Sequence, residues 1–408
     1  MNITEDFFNL VIDFGDDWRI INVETDHQKL QVYLDIEYIG KEYKDPDTLE
    51  IVKLYDHSEI RIWRHLDILQ YQSYVRCRIP RVLCKNGKVK QIAMSWAGKY
   101  DRHTYRFENR VIDLLKATKN QTKTAEFINC SFRLVNKIIH RSTKRGMERR
   151  NLSDLSFKHL SIDEKSFKKG HKYVSVLSHP RSGCIIDIEE GRTKESVKML
   201  IDKTLTIEQQ SGVTTISMDM WQAYLSVAKE KLPNADIVHD RFHLVQYLNK
   251  AIDSVRRREV KSNHELKNSR YALLKNQINL TEKQRIKFEA IAKANYEVSK
   301  AWEVKENFKD MFNQETEKVN GFELFYKWVS NSINKKIKEV NKVVTMFENH
   351  LSGVINALIT NFNNSMAERL NGKIQEVKLV GRGYRTFKKF RSAILFFHGG
   401  LDLYPLNW

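Results

Sequence analysis

The sequence predicts a mixed α/β domain as its main body, split by a long helical stretch and preceded by a β-rich segment and a pair of short helices. Three observations predict it. From residue 158 the runs HLSIDEKSF, KYVSVLS and GCIIDIEEGR follow one another across turns, as the strands of an antiparallel meander do. The strand-like segments TTISMD (214–219) and ADIVHD (235–240) then alternate with helix-like ones, the pattern of an α/β sheet with mixed pairing. Lastly, no proline occurs between Pro233 and Pro405 and glycines are sparse until Gly372, so the Lys/Glu-rich residues 244–360 read as mostly helical.

The elements follow in order. Residues 1–100 mix short β-like runs with turns at Pro46, Pro80 and Asn86-Gly87. Within them, residues 71–84 alternate Tyr74, Arg76 and Arg78 with Val75, Cys77 and Ile79, which reads as a half-buried strand. Residues 104–145 read as helices, the first with Phe107, Val111, Leu114 and Leu115 on one face. Two short amphipathic units come next, broken at Asn129–Ser131, with Ser131 placed as an N-cap. This is the layout of a helix-turn-helix or of a plain helical hairpin. Its second helix would carry Arg133, Asn136, Lys137 and His140 outward and Leu134, Ile138 and Ile139 inward. Beyond the meander, 193–209 reads as one helix and 221–232 as another.

Composition narrows the function classes. The chain has 408 residues, 41% of them hydrophobic, enough for two or three domains with buried cores. No apolar run approaches the length of a membrane span. The acidic start, MNITEDFFNLVIDFGDDWRI, lacks the positive charge of a signal peptide, so export is not expected. The four cysteines Cys77, Cys84, Cys130 and Cys184 show no pairing pattern, which suits a reducing cytoplasm. A net charge of +18 favours a polyanionic partner, and nucleic acid is the commonest one in a cell.

Three carboxylates stand out by their settings. Asp163 lies inside the apolar run Leu160-Ser161-Ile162, and Asp219 closes Ile216-Ser217-Met218 at a strand's C-terminal end, where open α/β sheets place functional groups. Glu368 lies in NNSMAERLNGKIQ, which reads as a helix opening after Asn and Ser. Each has a plainer reading. Asp163 would be a turn residue at a strand end, Asp219 the cap of the following helix, and Glu368 a first-turn glutamate favoured by the helix dipole. The functional reading is metal-dependent phosphoryl transfer, in which carboxylate oxygens hold a pair of hard cations such as Mg²⁺ or Mn²⁺.

The blocks SIDEKSFKKGHKYVSVL, ISMDMWQAY, IVHDRFHLVQYLNKAIDSVRR, NSMAERLNGKIQEVK and GYRTFKKFRSAILFF resemble the signature blocks of the ISL-three family of bacterial insertion-sequence transposases. The matching blocks cover roughly residues 60–105 and 158–400, in order. The resemblance implies an RNase H-like catalytic domain (a mixed sheet with helices on both faces) with a DDE triad of Asp163, Asp219 and Glu368, serving as both catalytic residues and metal ligands. The triad's neighbours come with it: Lys168, Lys169, Gly170 and His171 after the first Asp, Trp221 after the second, Asn364 and Asn371 around the Glu. Asp240 and His243 resemble a D-x-x-H element that follows the second Asp; His243 would contact DNA phosphate or support the metal site, or else simply tie strand to helix by a polar contact. The 149 positions between Asp219 and Glu368 leave room for a helical insertion.

The expected organisation is a β-rich module over 1–100 resembling a degenerate zinc ribbon, a helix-turn-helix over 101–150, catalytic segments over 155–250 and 356–408, and a helical insertion over 251–355. No zinc is expected, because Cys77, Cys84, His57 and His65 cannot make four ligands at knuckle spacing. DNA contacts are expected from Arg133, Asn136, Lys137 and His140, from Lys168, Lys169, His171 and Trp221, from Arg256, Arg257 and Arg258, and from Lys378, Arg382, Arg385 and Arg391. The expected protein is a cytoplasmic, nucleoid-associated transposase. It would bind terminal inverted repeats and target DNA as a homodimer or higher assembly, and cut and join strands with two Mg²⁺ or Mn²⁺ ions. The alternatives are an inactive or domesticated DNA-binding repressor and an RNase H-like nuclease.

Overall fold

The computed structural model describes residues 3–150, 157–168, 172–275, 279–313, 318–360, 365–381 and 383–405; the side chains of 3–4, 318–319 and 365–368 lie outside that description. The chain forms two compact units, Met1–Arg150 with Leu401–Trp408, and Asn151–Gly400.

The first unit opens with helix α1 (Ile3–Val11) and the strands β1 (Trp18–Asp26), β2 (Gln31–Tyr38), β3 (Tyr43–Lys44), β4 (Ile51–His57), β5 (Arg61–Arg64), β6 (Gln72–Cys77), β7 (Pro80–Leu83) and β8 (Val89–Gln91). They pair in two sheets, ordered β1-β2-β6-β5 and β3-β4-β7-β8. The alternation read over 71–84 holds, since Val75, Cys77 and Ile79 are buried. The run is two strands, however. It breaks at Arg78, and Pro80 starts β7 in the other sheet, at the first-residue position a proline tolerates. Trp18, Trp63 and Trp96 pack edge to face at the centre of this unit, over Leu34, Val75 and Cys77. Burial there pushes the Cys77 thiol up to about 12, so it behaves as a small apolar side chain.

Helices α2 (Tyr105–Thr118), α3 (Gln121–Phe127) and α4 (Phe132–Arg149) complete the unit and pack on one another. Each starts at a side chain that accepts a backbone N–H: Thr104, Asn120 and Ser131. The chain turns between α3 and α4 with Asn129 at φ 47°, a left-handed conformation that asparagine tolerates. The inward face of α4 is one position off the sequence reading, with Val135, Ile138 and Ile139 buried and Leu134 only half-buried. Residues from Leu401 also belong here, whereas the sequence grouped 356–408 as one segment. Arg145 donates to the Leu403 carbonyl at 2.7 Å, and Arg149 meets Asp402 at 3.0 Å. Gly146 lets this tail pass, since a Cβ there would stand 2.7 Å from that of Leu401.

The second unit is a mixed α/β sheet joined to a helical body. Its strands are β9 (His159–Lys168), β10 (Lys172–His179), β11 (Cys184–Glu190), β12 (Thr215–Met218) and β13 (Asp236–His239), ordered β11-β10-β9-β12-β13. The meander β9–β10–β11 is antiparallel, while β12 runs parallel to both β9 and β13. Helices α5 (Lys194–Thr204) and α7 (Gln222–Lys231), with the short α6 (Ile207–Gly212) between them in sequence, cover the sheet, and α5 and α7 contribute to a core of Leu160, Ile162, Ile186, Leu200, Ile216 and Val227. The single helix read over 193–209 is thus two. Thr206 makes a capping box with Gln209, which starts a new helix where the old one ends.

The Lys/Glu-rich stretch is helical as its pattern predicts. It forms α8 (Arg241–Glu259), α9 (Arg270–Leu274), α10 (Glu282–Lys293), α11 (Glu297–Met311), α12 (Lys318–Asn334), α13 (Lys338–Asn349) and α14 (Leu351–Ile359). Its aromatics Phe308, Phe325, Trp328 and Phe347 are buried among one another and pack the helices together. The Trp328 indole N–H is satisfied by the Val304 carbonyl at 2.9 Å. Two more helices, α15 (Ser365–Val380) and α16 (Phe387–His398), return to the sheet, α14 lying on β13 and α16 on β11.

Candidate active site

Strand register brings the first two carboxylates together. In the parallel pair β9–β12, Thr215 faces His159 and Ser217 faces Ser161, an offset of 56 residues. Asp219 follows Asp163 by that same 56 and lies one residue past the end of β12, so continuing the register sets the two level across strands that run about 4.8 Å apart. The β12–β13 pair repeats the device. Met218 faces His239, and one residue further Asp240 comes level with Asp219. Equal parity along the pleat turns such residues to one face.

One imidazole reads all three. His243, in the first turn of α8, sets Nε2 at 3.8 Å from Asp163 Oδ1, Nδ1 at 3.7 Å from Asp219 Oδ2, and Nε2 at 3.9 Å from Asp240 Oδ2. Burial works to lower its pKa, but the surrounding carboxylates win and raise it. Burial likewise works to raise the Asp163 carboxyl. His243, Lys165 at 3.2 Å and the Asn371 amide outweigh it and hold that carboxyl at about 2. Asn371 Nδ2 donates to Asp163 Oδ2 at 2.7 Å, tying α15 to the centre of β9. Asp163 is therefore no turn residue; it sits in mid-strand opposite Val176.

Nor does Asp219 cap a helix. Its Oδ1 accepts the Met220 N–H at 2.7 Å and the Tyr247 hydroxyl at 3.3 Å, while the N-cap position of α7 is Trp221, which makes no side-chain cap. Asp240 does cap one, accepting the Phe242 N–H at the start of α8 at 2.8 Å. Tyr247 escaped the sequence reading. The signal for it is its place one helical turn after His243, the i, i+4 spacing.

Glu368 lies on α15, one turn before Asn371, with its side chain outside the described residues. Asn364, Lys169, Gly170, His171 and Arg382 are outside them altogether. Among the described residues no group of three His, Cys, Asp or Glu encloses a metal position. The donors that are present fit a hard divalent cation, because Asp163 is an ionised oxygen donor level with a second carboxylate, beside an imidazole already drawn to that negative field.

A second cluster adjoins the carboxylates. The Arg192 guanidinium lies 4.2 Å from the Tyr173 ring centre and 4.8 Å from that of Trp221, and pairs with Glu164 at 3.0 and 3.2 Å. The Trp221 indole N–H donates to the Arg192 carbonyl at 3.1 Å, which fixes the ring while leaving it 43% exposed. Sequence reading found Trp221 but not its supports, which come from three separate elements.

The other expected DNA contacts are distributed unevenly. On α4, Arg133 is exposed, Asn136 is spent on Gln121 at 3.0 Å, Lys137 faces Asp101 at 3.6 Å, and His140 is half-buried. Arg256 and Arg257 share Asp253, at 2.7 and 2.8 Å, and Arg258 reaches Glu339 at 2.9 Å, so this triplet is internally paired. Lys168 donates to the Arg385 carbonyl at 2.6 Å and Lys378 to the Ser166 carbonyl at 2.8 Å; both pin the C-terminal segment to β9. Arg385 is exposed, and Arg391 makes a two-pronged pair with buried Asp187, each contact 2.7 Å.

Comparison with known proteins identifies the class as DNA-processing enzymes of mobile elements. A family model of the ISL3 DDE type, described as "Transposase", matches residues 160–394. The transposase for insertion sequence element IS1557 of Mycobacterium tuberculosis is 26% identical over 358 residues, covering 80% of this chain and 79% of that protein. The transposase for insertion sequence element IS1001 of Bordetella parapertussis is 24% identical over 350 residues, covering 82% and 85%. The chain belongs to the ISL3 (ISL-three) family of insertion-sequence transposases. DNA binding and DNA processing follow from that membership, as does a general use of divalent metal ions. Among the described residues no helix is long and apolar enough to cross a membrane.

Proposed function

We propose that this transposase cuts and joins DNA by metal-dependent phosphoryl transfer at an RNase H-like centre, with Asp163, Asp219 and Glu368 as the metal ligands. The observation that carries the reading is the shared 56-residue offset, which sets Asp219 level with Asp163 around one imidazole. Glu368 joins them because α15 already reaches Asp163 through Asn371, one turn further on. Bound Mg²⁺ or Mn²⁺ ions would supply Lewis acidity to the attacking and leaving oxygens of an in-line displacement. The protein's own part is positional. Asn371 and Tyr247 hold one oxygen each of Asp163 and Asp219, and His243 balances the negative field between them.

Trp221 and the exposed Arg385 meet DNA, as do Lys169 and His171, which follow the first Asp in the sequence, while the exposed Arg133 meets it from α4. The α3–α4 pair acts as a helix-turn-helix on the terminal inverted repeats, with the β-rich module ahead of it and residues 251–355, from within α8 to within α14, as the insertion. Two element ends require two active sites, so the working form is a dimer or larger assembly in the cytoplasm. The test is cleavage and joining of labelled inverted-repeat DNA with Mg²⁺ by wild type and Asp219→Asn. The variant is expected to bind DNA and neither cut nor join it; equal cleavage by both removes Asp219 from the centre.

A further inference from the structure

The helical insertion carries an open, shallow concavity whose charged side chains are all cationic. Between the end of α12 and the face of α13 lies a hollow of about 730 Å³, lined by Asn334, Lys336, Lys338, Asn341, Lys342 and Thr345 together with one apolar side chain. Among the described residues no carboxylate lines it. Positions 338, 341, 342 and 345 recur at helical spacing and form a single stripe, opposite the face of α13 that buries Val340, Val343, Val344 and Phe347. Lys336, Lys338 and Lys342 are all exposed, and none is in a salt bridge among the described residues.

The acids nearby are held elsewhere. Glu339 is engaged by Arg258 at 2.9 Å, and Glu303 by Lys335 at 2.7 Å. Glu348, the other carboxylate of α13, stands near its far end and does not line the hollow. Lys305 and Lys309 likewise share Glu306, each at 3.0 Å. The insertion thus neutralises its cations in several places and leaves three of them together in one hollow. Holding them close costs self-repulsion, which an anionic partner offsets.

We propose that this hollow binds the phosphodiester backbone of duplex DNA, giving the insertion a contact of its own apart from the carboxylate centre; the proposal rests on the transposase reading. Lys338 and Lys342 stand about 6 Å apart along the helix axis, so the two can meet neighbouring phosphates of one strand. The side chains offer three ammonium groups beside amide and hydroxyl donors, and the ammonium groups, as point charges, favour phosphate oxygens over base edges. The contact is therefore to the backbone and blind to sequence.

The test is the salt dependence of duplex binding by the full chain. The variant carries Lys336→Asn, Lys338→Gln and Lys342→Gln. Asparagine is chosen at 336 because the backbone there sits at φ 53°. Each phosphate that no longer meets a cation lowers the slope of log affinity against log salt by about 0.9, so the slope is expected to shrink by roughly two to three. A triple arginine variant at the same positions, which keeps the charge, is expected to keep the wild-type slope. An unchanged slope in the neutral variant overturns the proposal. So does wild-type DNA binding accompanied by altered self-association, which would assign the hollow to a second copy of the chain. Failure of the wild type to bind duplex DNA at all would instead bring down the transposase reading beneath it.

Discussion

Removing the Asn371 amide tests whether the carboxylate pair is a working metal site. Asn371→Ala deletes one hydrogen bond of 2.7 Å to the Asp163 carboxylate and leaves all three expected ligands in place. A hydrogen bond to a charged group contributes about 1.5–3 kcal/mol. At about 1.4 kcal/mol per decade, that is roughly a 10- to 100-fold loss, the range seen when a group that orients a metal ligand is removed. Asp163 keeps its bond from the Glu164 N–H at 2.7 Å and its pairing with Lys165, so it stays ionised and only its aim is loosened. The loss therefore belongs in the Mg²⁺ concentration needed for half-maximal cleavage, with partial recovery of rate at high metal. The assay is cleavage of a labelled duplex carrying the element's terminal repeat, titrated with Mg²⁺. A half-maximal Mg²⁺ concentration within twofold of wild type, at an unchanged plateau rate, refutes the reasoning.

Glu108 gives a stability prediction with a defined pH window. It is fully buried between α2 and α4, where burial works to raise its pKa while His103, Arg141 and Arg145 outweigh it and hold the carboxyl at about 2. A depressed carboxyl contributes stability that is present above its unfolded value near 4.5 and is lost as pH falls toward 2. Glu108→Gln should therefore cost on the order of 3 kcal/mol at pH 7 in urea unfolding, and the gap to wild type should close toward pH 2; a pH-independent gap contradicts it. Trp221→Ala should weaken binding of DNA ending at the cleavage position by about 5- to 100-fold, as expected for the loss of one base–aromatic stack, and Trp221→Phe should retain most of the affinity in fluorescence polarisation. Arg192→Ala should give an intermediate loss without altering the Mg²⁺ requirement, since Arg192 supports the ring rather than Asp163 or Asp219.

Much of the second unit was legible because its signals are local. A meander of β-rich runs, strands alternating with helices, and a proline-free Lys/Glu-rich stretch each state their structure within a window of a few residues. Errors came where a local signal was read too long. Pro80 ends one strand's neighbourhood and starts another, and the Thr206 capping box cuts a helix whose apolar spacing carries straight on. The reading of α4 missed Val135 because a one-position rotation of an amphipathic helix changes its pattern little.

The site was legible in a different way. Asp163 and Asp219 stood out as charges inside apolar runs, and their separation already encoded the pairing, since a parallel register is a fixed difference in residue number. What sets their orientation could not be read so. Tyr247, Asn371 and the Tyr173–Arg192–Glu164 support of Trp221 are ordinary residues in their own windows, and they acquire their partners only when separate elements close on β9 and β12. The basic residues show the converse. Arg256, Arg257 and Arg258 look like a phosphate patch in the sequence, yet Asp253, Glu297 and Glu339 take them up from positions up to 81 residues distant. Charge runs therefore predict DNA binding poorly until their acidic partners are known. The lysines of α13 carry weight for the opposite reason, because Arg258 and Lys335 already engage Glu339 and Glu303 and, among the described residues, no carboxylate lines the hollow.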